Sequence, residues 1–161
     1  MLPPMTTLGP AISIRVATPA DLACVVELMI ELVDELGPPD AASRLKEWLA
    51  PDMAQALVSP AVRVFLAFAS TAVVGLSRGD VLGHDPIFRL RDDQRCGYVD
   101  QMYVRPSYRR AGVGAQLLTA CEAWFRELGI QHTLLHAAPR AVRFYAREGY
   151  LPNREMFKRL L

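Results

Sequence analysis

The 161-residue sequence predicts a single mixed α/β domain around a central sheet, and three observations lead there. Apolar runs of strand character are interleaved with segments whose apolar residues recur at helical spacing. The length suits one domain with a sizeable core. Hydrophobic content of 52% against 22% charge is that of a globular chain rather than a disordered one.

Residues 1–11 contain three prolines and no cationic stretch leading an apolar core, so they read as a loose tail, not a signal peptide. Residues 12–161 form the domain. Residues 12–17 alternate apolar and polar and predict the first strand. Thr18, Pro19 and Asp21 mark a helix start: a cap, a proline in the first position and an acid at the positive end. Leu22, Val25, Val26, Met29, Ile30 and Val33 then make one apolar stripe ending near Glu35. Residues 37–40 (Gly-Pro-Pro-Asp) form a stiff turn. A second helical region covers 41–58, with a break or restart expected at Pro51 and with Leu45, Trp48 and Leu49 facing inward.

Strands are expected over 62–69 and 72–81, joined as a hairpin at Ser70-Thr71. The charged stretch 83–95 reads as a solvated loop. Residues 96–104 form the next strand. Alternation along it groups Tyr98, Asp100 and Met102 on one face and Val99, Gln101 and Tyr103 on the other. Pro106 ends the strand, because proline cannot donate to a ladder. Gly112 and Gly114 open a helix whose inward residues are Val113, Leu117, Cys121, Trp124 and Leu128, stopped by Gly129. A strand at 133–137, a helix at 139–148 capped by Gly149, and a closing strand or hairpin at 150–161 complete the chain.

Strand, basic glycine turn and helix follow one another across 104–118. The first N–H groups of a helix lack intrahelical partners, and the dipole makes that end positive. Glycines let an anion approach the backbone, and Arg109 and Arg110 add charge, so a pyrophosphate is the natural occupant. A dinucleotide fingerprint would need a third glycine where Leu117 stands, and the Gly-Lys-Ser/Thr of a P-loop is absent.

Arg109-x-x-Gly112-x-Gly114, preceded by Val104-x-Pro106 and followed by Leu117, resembles the acetyl-CoA-binding signature of the GNAT (GCN5-related) N-acetyltransferase superfamily. A second match, Ala141-x-x-Phe144-Tyr145 ending in Gly149-Tyr150, is similar to the family's helix beside the coenzyme. The two motifs occupy roughly the C-terminal third of the chain, and the upstream order of elements agrees with the family layout. The resemblance implies a twisted mixed sheet of about six to seven strands flanked by about four helices. It also implies an enzyme moving an acetyl group from acetyl-CoA to an amine of a small molecule or peptide, by direct attack in a ternary complex.

Carried over residue by residue, the main chain of Met102, Tyr103 and Val104 pairs with the pantetheine arm, as an added strand would. The turn formed by Arg109, Arg110, Ala111, Gly112, Val113, Gly114 and Ala115 holds the pyrophosphate, and a main-chain donor near Met102 faces the developing oxyanion. Tyr145 matches the tyrosine that protonates the departing thiolate; an aromatic there equally suits packing of the last helix. Asp100 stands where many members carry glutamate and is the candidate base, although one methylene shorter, which favours a water relay. A surface aspartate at a strand end is the alternative. Many members place asparagine at the position of Ala138, so one polar contact is missing or supplied elsewhere.

The acceptor regions implied are 33–43, 76–80 and 152–156. There Asp34, Glu35, Asp40 and Asp100 present negative charge to an amine, while Arg78 and Arg154 suit a carboxylate. Family members often dimerise, and a homodimer is compatible with the resemblance. A non-catalytic acyl-CoA sensor retaining only the phosphate turn, and an unrelated phosphate-binding protein, are the competing readings.

A formal charge of +1 offers no electrostatic footprint for nucleic acid or an anionic membrane, and no apolar run reaches spanning length. Cys24, Cys96 and Cys121 are widely separated and without metal spacing. They read as free thiols, those at 24 and 121 buried, in a cytoplasmic setting. His84, His132 and His136 form no ligand pattern, so no metal is expected.

Overall fold

The computed structural model describes residues 11–38, 41–83 and 95–152. The expected tail up to residue 10, residues 39–40 of the stiff turn, the loop core 84–94 and the closing segment from 153 lie outside the described residues. The five described strands form one sheet in the order β1 (Ile12–Val16), β2 (Val62–Ala69), β3 (Ala72–Leu82), β4 (Cys96–Val104) and β5 (Thr133–Leu135). The first three pairings are antiparallel and β4 pairs β5 in parallel. A parallel pair needs a crossover, supplied here by the long helix between them. The six-to-seven-strand expectation rested partly on residues 150–161. Residues 150–152 are not in a strand, and the rest lie outside the described residues.

Four α-helices among the described residues cover the sheet: α1 (Leu22–Leu36) and α2 (Ala41–Val58) on one face, α3 (Val113–Glu127) and α4 (Val142–Arg147) towards the other. Val64, Leu66, Leu76 and Tyr103 pack with Val25, Leu28, Met29, Leu49 and Met53 on the first face. Phe65, Ala67 and Val99 pack with Leu117, Leu118, Cys121, Trp124 and Phe125 on the second. With both faces covered, β2 reads as a nearly continuous apolar run rather than an alternating one.

The start of α1 is built as its sequence suggests. The Asp21 carboxylate accepts from the Thr18 N–H (2.8 Å) and hydroxyl (2.9 Å), and Arg15 grips it from β1 (2.7 Å). Gly129 (φ 76°) and Gly149 (φ 91°) end α3 and α4 in the left-handed conformation. In each case the following residue donates back into the helix, Ile130 to the Phe125 carbonyl and Tyr150 to the Tyr145 carbonyl, both at 3.0 Å.

Three expectations are corrected. α2 runs through Pro51 without a break, because Leu49 and Met53, buried on either side of it, hold the helix on the sheet despite the lost hydrogen bond. Trp48 is half exposed, not inward; Leu49 takes the buried position. Of the cysteines, Cys96 and Cys121 are buried but Cys24 is only partly so.

The simple alternation along β4 also fails. The β3–β4 register pairs Gly79 with Val99 and Arg78 with Gln101, leaving Asp100 as the extra residue of a bulge. The faces therefore exchange parity. Val99 packs towards α3, and so do Met102 and Val104, while Tyr103 turns to the α1–α2 face.

α3 approaches the sheet closely because glycines lie beneath it. A Cβ on Gly79 would stand 2.5 Å from Cys121 Sγ, and one on Gly97 would stand 2.6 Å from the Phe125 ring. We expect Gly97→Ala to overpack this contact and destabilise the protein by about 1–3 kcal/mol in urea unfolding, with no loss if α3 can shift freely.

Candidate active site

Pairing between β4 and β5 stops at Val99 and Leu135, next to the bulge. Beyond it the strands part. The edge of residues 100–104 that faces away from β3 has no strand partner among the described residues. A cleft of about 610 Å³ opens there, walled by β4 on one side and by His136, Ala138 and α4 on the other. That volume lies within the usual range for small-molecule sites, roughly 300–1,000 Å³.

The glycine turn closes one end of the cleft. A single helical turn of residues 106–108 follows Arg105, and the chain then takes left-handed conformations at Arg110 (φ 65°) and Gly112 (φ 79°) before α3 begins. The first helical bond of α3 is donated by Gln116 to the Gly112 carbonyl at 3.1 Å. The N–H groups of residues 110–115 thus have no acceptor among the described residues, in the geometry of an anion-binding nest at a helix N-terminus. A Cβ on Gly112 would meet no atom, so the space above it is open.

Most of the predicted residues meet at this cleft. Asp100, Met102, Tyr103, Val104, Arg109, Arg110, Gly112, Gly114, Ala115 and Tyr145 all line it. Two do not: Ala111 is exposed outside the lining, and the Val113 side chain is buried in the core at 1% exposure. The Val104 carbonyl is already engaged by Arg109 Nε at 2.8 Å. Arg109 is otherwise folded back onto Glu35 (2.8 and 2.5 Å) and over the Tyr103 ring, so its charge is largely committed. Glu35, expected to face an amine, faces guanidinium groups instead.

Asp100 lies beside Gln101, whose amide donates to it, and 3.7 Å from Arg78 Nε. Arg78 is itself held by Asp80 (2.9 Å) and Asp52 (3.2 Å), so it serves internal carboxylates rather than a free site for an acid. Burial pushes the Asp100 pKa above the ordinary carboxylate value. Arg78 pulls it down, and Asp80 and Asp52 add to the rise. Burial also works against the Arg78 charge, yet the surrounding carboxylates keep its pKa raised.

The Tyr145 ring packs edge-on against Phe144 and Tyr150, and its hydroxyl has no hydrogen-bond partner among the described residues. Burial pushes its pKa up to about 12. It is thus both a packing residue and an available donor at the cleft. On either side of Ala138 in sequence, two polar residues that the motif reading passed over share the lining. His136 meets the Tyr98 hydroxyl through Nδ1 (2.7 Å), and Arg140 pairs with Glu35. Among the described residues no group of three or more His, Cys, Asp or Glu could hold a metal ion, and no helix is long and apolar enough to cross a membrane.

Comparison with known proteins places this architecture. The family model described as "Acetyltransferase (GNAT) family" matches residues 28–150. An aminoglycoside N(6')-acetyltransferase type 1 from Stenotrophomonas maltophilia is 32% identical over 148 residues, covering 82% of this chain and 85% of the relative. The crystal structure of a GCN5-related N-acetyltransferase from Ralstonia eutropha JMP134 superposes with a TM-score of 0.82 at 25% identity, covering 93% of this chain and 99% of that one. A protein from Clostridium acetobutylicum described as a "predicted acetyltransferase", solved with acetyl-CoA, shares the fold at a TM-score of 0.81 and 18% identity, with 93% of this chain and 96% of that one covered.

The raised pKa of Asp100 carries a stability consequence. The native state binds more protons than the unfolded chain between the two pKa values, so stability falls as pH rises through that window. Asp100→Asn should therefore be more stable than the wild type near pH 7 and equal to it near about pH 3, where the carboxyl is neutral in both states. Urea unfolding at the two pH values checks this; a variant less stable at neutral pH would mean that the Arg78 contact outweighs burial.

Proposed function

The chain belongs to the GNAT acetyltransferase family, and on that premise we propose that it is an acetyl-CoA-dependent N-acetyltransferase. Its acceptor is the amine of a small molecule or peptide, attacking directly in a ternary complex. The observation that carries this reading is the junction, in one cleft, of a β4 edge and a run of N–H groups that have no partner among the described residues. An edge suits the amides of a pantetheine arm, and the helix start suits a diphosphate.

Bound acetyl-CoA supplies an acetyl group activated as a thioester. The N–H groups of residues 110–115 hold the diphosphate, with Arg110 adding charge. The edge of Met102, Tyr103 and Val104 orients the arm, and a main-chain donor near Met102 favours negative charge on the thioester oxygen. Asp100, directly or through water, takes the proton that an ammonium must lose before it can attack. A pKa raised by burial brings it nearer to the operating pH than an ordinary carboxylate.

Tyr145 donates from its hydroxyl to the departing sulfur. At about 12 its pKa keeps it protonated. An ordinary thiol titrates near about 8.5, so the phenol stabilises the thiolate chiefly as a hydrogen-bond donor. The aminoglycoside relative makes a sugar polyamine the first acceptor class to test.

Calorimetric titration with acetyl-CoA, against ATP and NAD, tests the coenzyme site. Selective binding followed by turnover on an amine panel is expected; binding without turnover on any amine would favour a sensor. Gly112→Trp should abolish acetyl-CoA binding; its side chain enters open space, but the left-handed backbone at Gly112 (φ 79°) costs about 1–2 kcal/mol of stability, so urea unfolding must show that the variant is still folded. Tyr145→Phe should lower kcat by about a hundredfold while leaving acetyl-CoA affinity nearly unchanged. Equal turnover would make Tyr145 a packing residue only.

A further inference from the structure

The cleft carries a cross-link that neither motif contains. Glu35, in the last turn of α1, accepts from Arg109 Nη1 and Nη2 at 2.8 and 2.5 Å and pairs with Arg140 Nη1 at 2.5 Å. Arg109 belongs to the turn leaving β4, and Arg140 to the short turn of residues 139–141 leading from β5 into α4. These are the two walls that part beyond Val99, and both arginines line the cleft. One carboxylate on a third element therefore joins its opposite sides.

Its position is otherwise unfavourable. The helix dipole opposes a carboxylate at a C-terminus, and the last turn of α1 has no basic residue of its own. The paired arginines reverse this, and the carboxyl titrates below its ordinary range chiefly through the Arg109 hydrogen bonds. Two further rungs run along the same helix, Glu27 and Glu31 to Arg105, but both end on the β4 side. Among the described residues, only the Glu35 rung reaches across to the segment before α4.

We infer that Glu35 is a positioning residue for the coenzyme, a strap that sets the spacing of the cleft walls through Arg109 and Arg140. Arg109 held in place fixes the turn whose N–H groups point at the anion, and Arg140 held in place fixes the start of α4, which carries Tyr145. Preorganisation of this kind appears as affinity, because the walls need not be ordered at the moment of binding. The inference rests on the acetyl-CoA reading above.

The test is a double-mutant cycle read by calorimetric titration with acetyl-CoA, alongside thermal unfolding. Glu35→Gln and Arg140→Gln should each weaken binding roughly tenfold, and the double variant should be no weaker than either alone. An ion pair that only stabilises the fold would show coupling in Tm and none in acetyl-CoA affinity. Arg140 is half exposed, so its variant gives the reading even if Glu35→Gln fails to fold. Glu35→Gln binding within about twofold of wild type, or more tightly, would overturn the strap. Wild-type protein that does not bind acetyl-CoA would instead overturn the underlying reading.

Discussion

The β4 bulge at Asp100 is the constraint on which the site depends. An extra residue opposite Arg78 and Gly79 bends the strand just where its pairing with β5 ends. One event therefore opens a sheet edge, turns Met102 and Val104 back towards α3, and brings Asp100 beside Gln101 and Arg78. Continuous β4–β5 pairing would close the cleft and satisfy the edge. The parting leaves main-chain groups that a ligand can satisfy instead, which is how a sheet becomes a binding groove.

The surrounding structure makes that opening affordable. α3 is seated on Gly79 and Gly97 so closely that a single added carbon would collide with Cys121 or Phe125, which fixes the second half of the helix against the sheet. On the opposite face, α1 presents Glu27, Glu31 and Glu35 at four-residue spacing to Arg105 and Arg109, themselves four residues apart. The turn thus leads into a helix fixed to the sheet and is gripped from the α1 side by carboxylates. Burial then shifts the two candidate catalytic groups in the same direction for different uses, towards a stronger base at Asp100 and a firmly protonated donor at Tyr145.

Local signals were readable in the sequence where a residue type answers a local backbone need. Gly112, Gly129 and Gly149 take the positive φ that their positions require. Thr18, Pro19 and Asp21 start a helix, and the helical stripe of α3 lies buried. Features that depend on a distant partner were not readable. The bulge exists only in the register of β3 against β4, so counting alternate residues put Met102 and Tyr103 on the wrong faces relative to Val99. Pro51 is overridden by the packing of Leu49 and Met53, and the neighbouring Trp48 points away from that core. Glu35 and Arg109 are 74 residues apart, and nothing near either one names the other. The matched four-residue spacings of the glutamates and arginines were the one available hint.

The most direct test of this account is a backbone-amide NMR titration with acetyl-CoA. The account predicts that the largest shifts and the greatest gain in exchange protection fall on the amides of residues 110–115 and on the cleft-facing amides of residues 100–104. Perturbations concentrated elsewhere, with those amides unchanged at saturation, would contradict the claim that the parted edge and the helix start together form the coenzyme site.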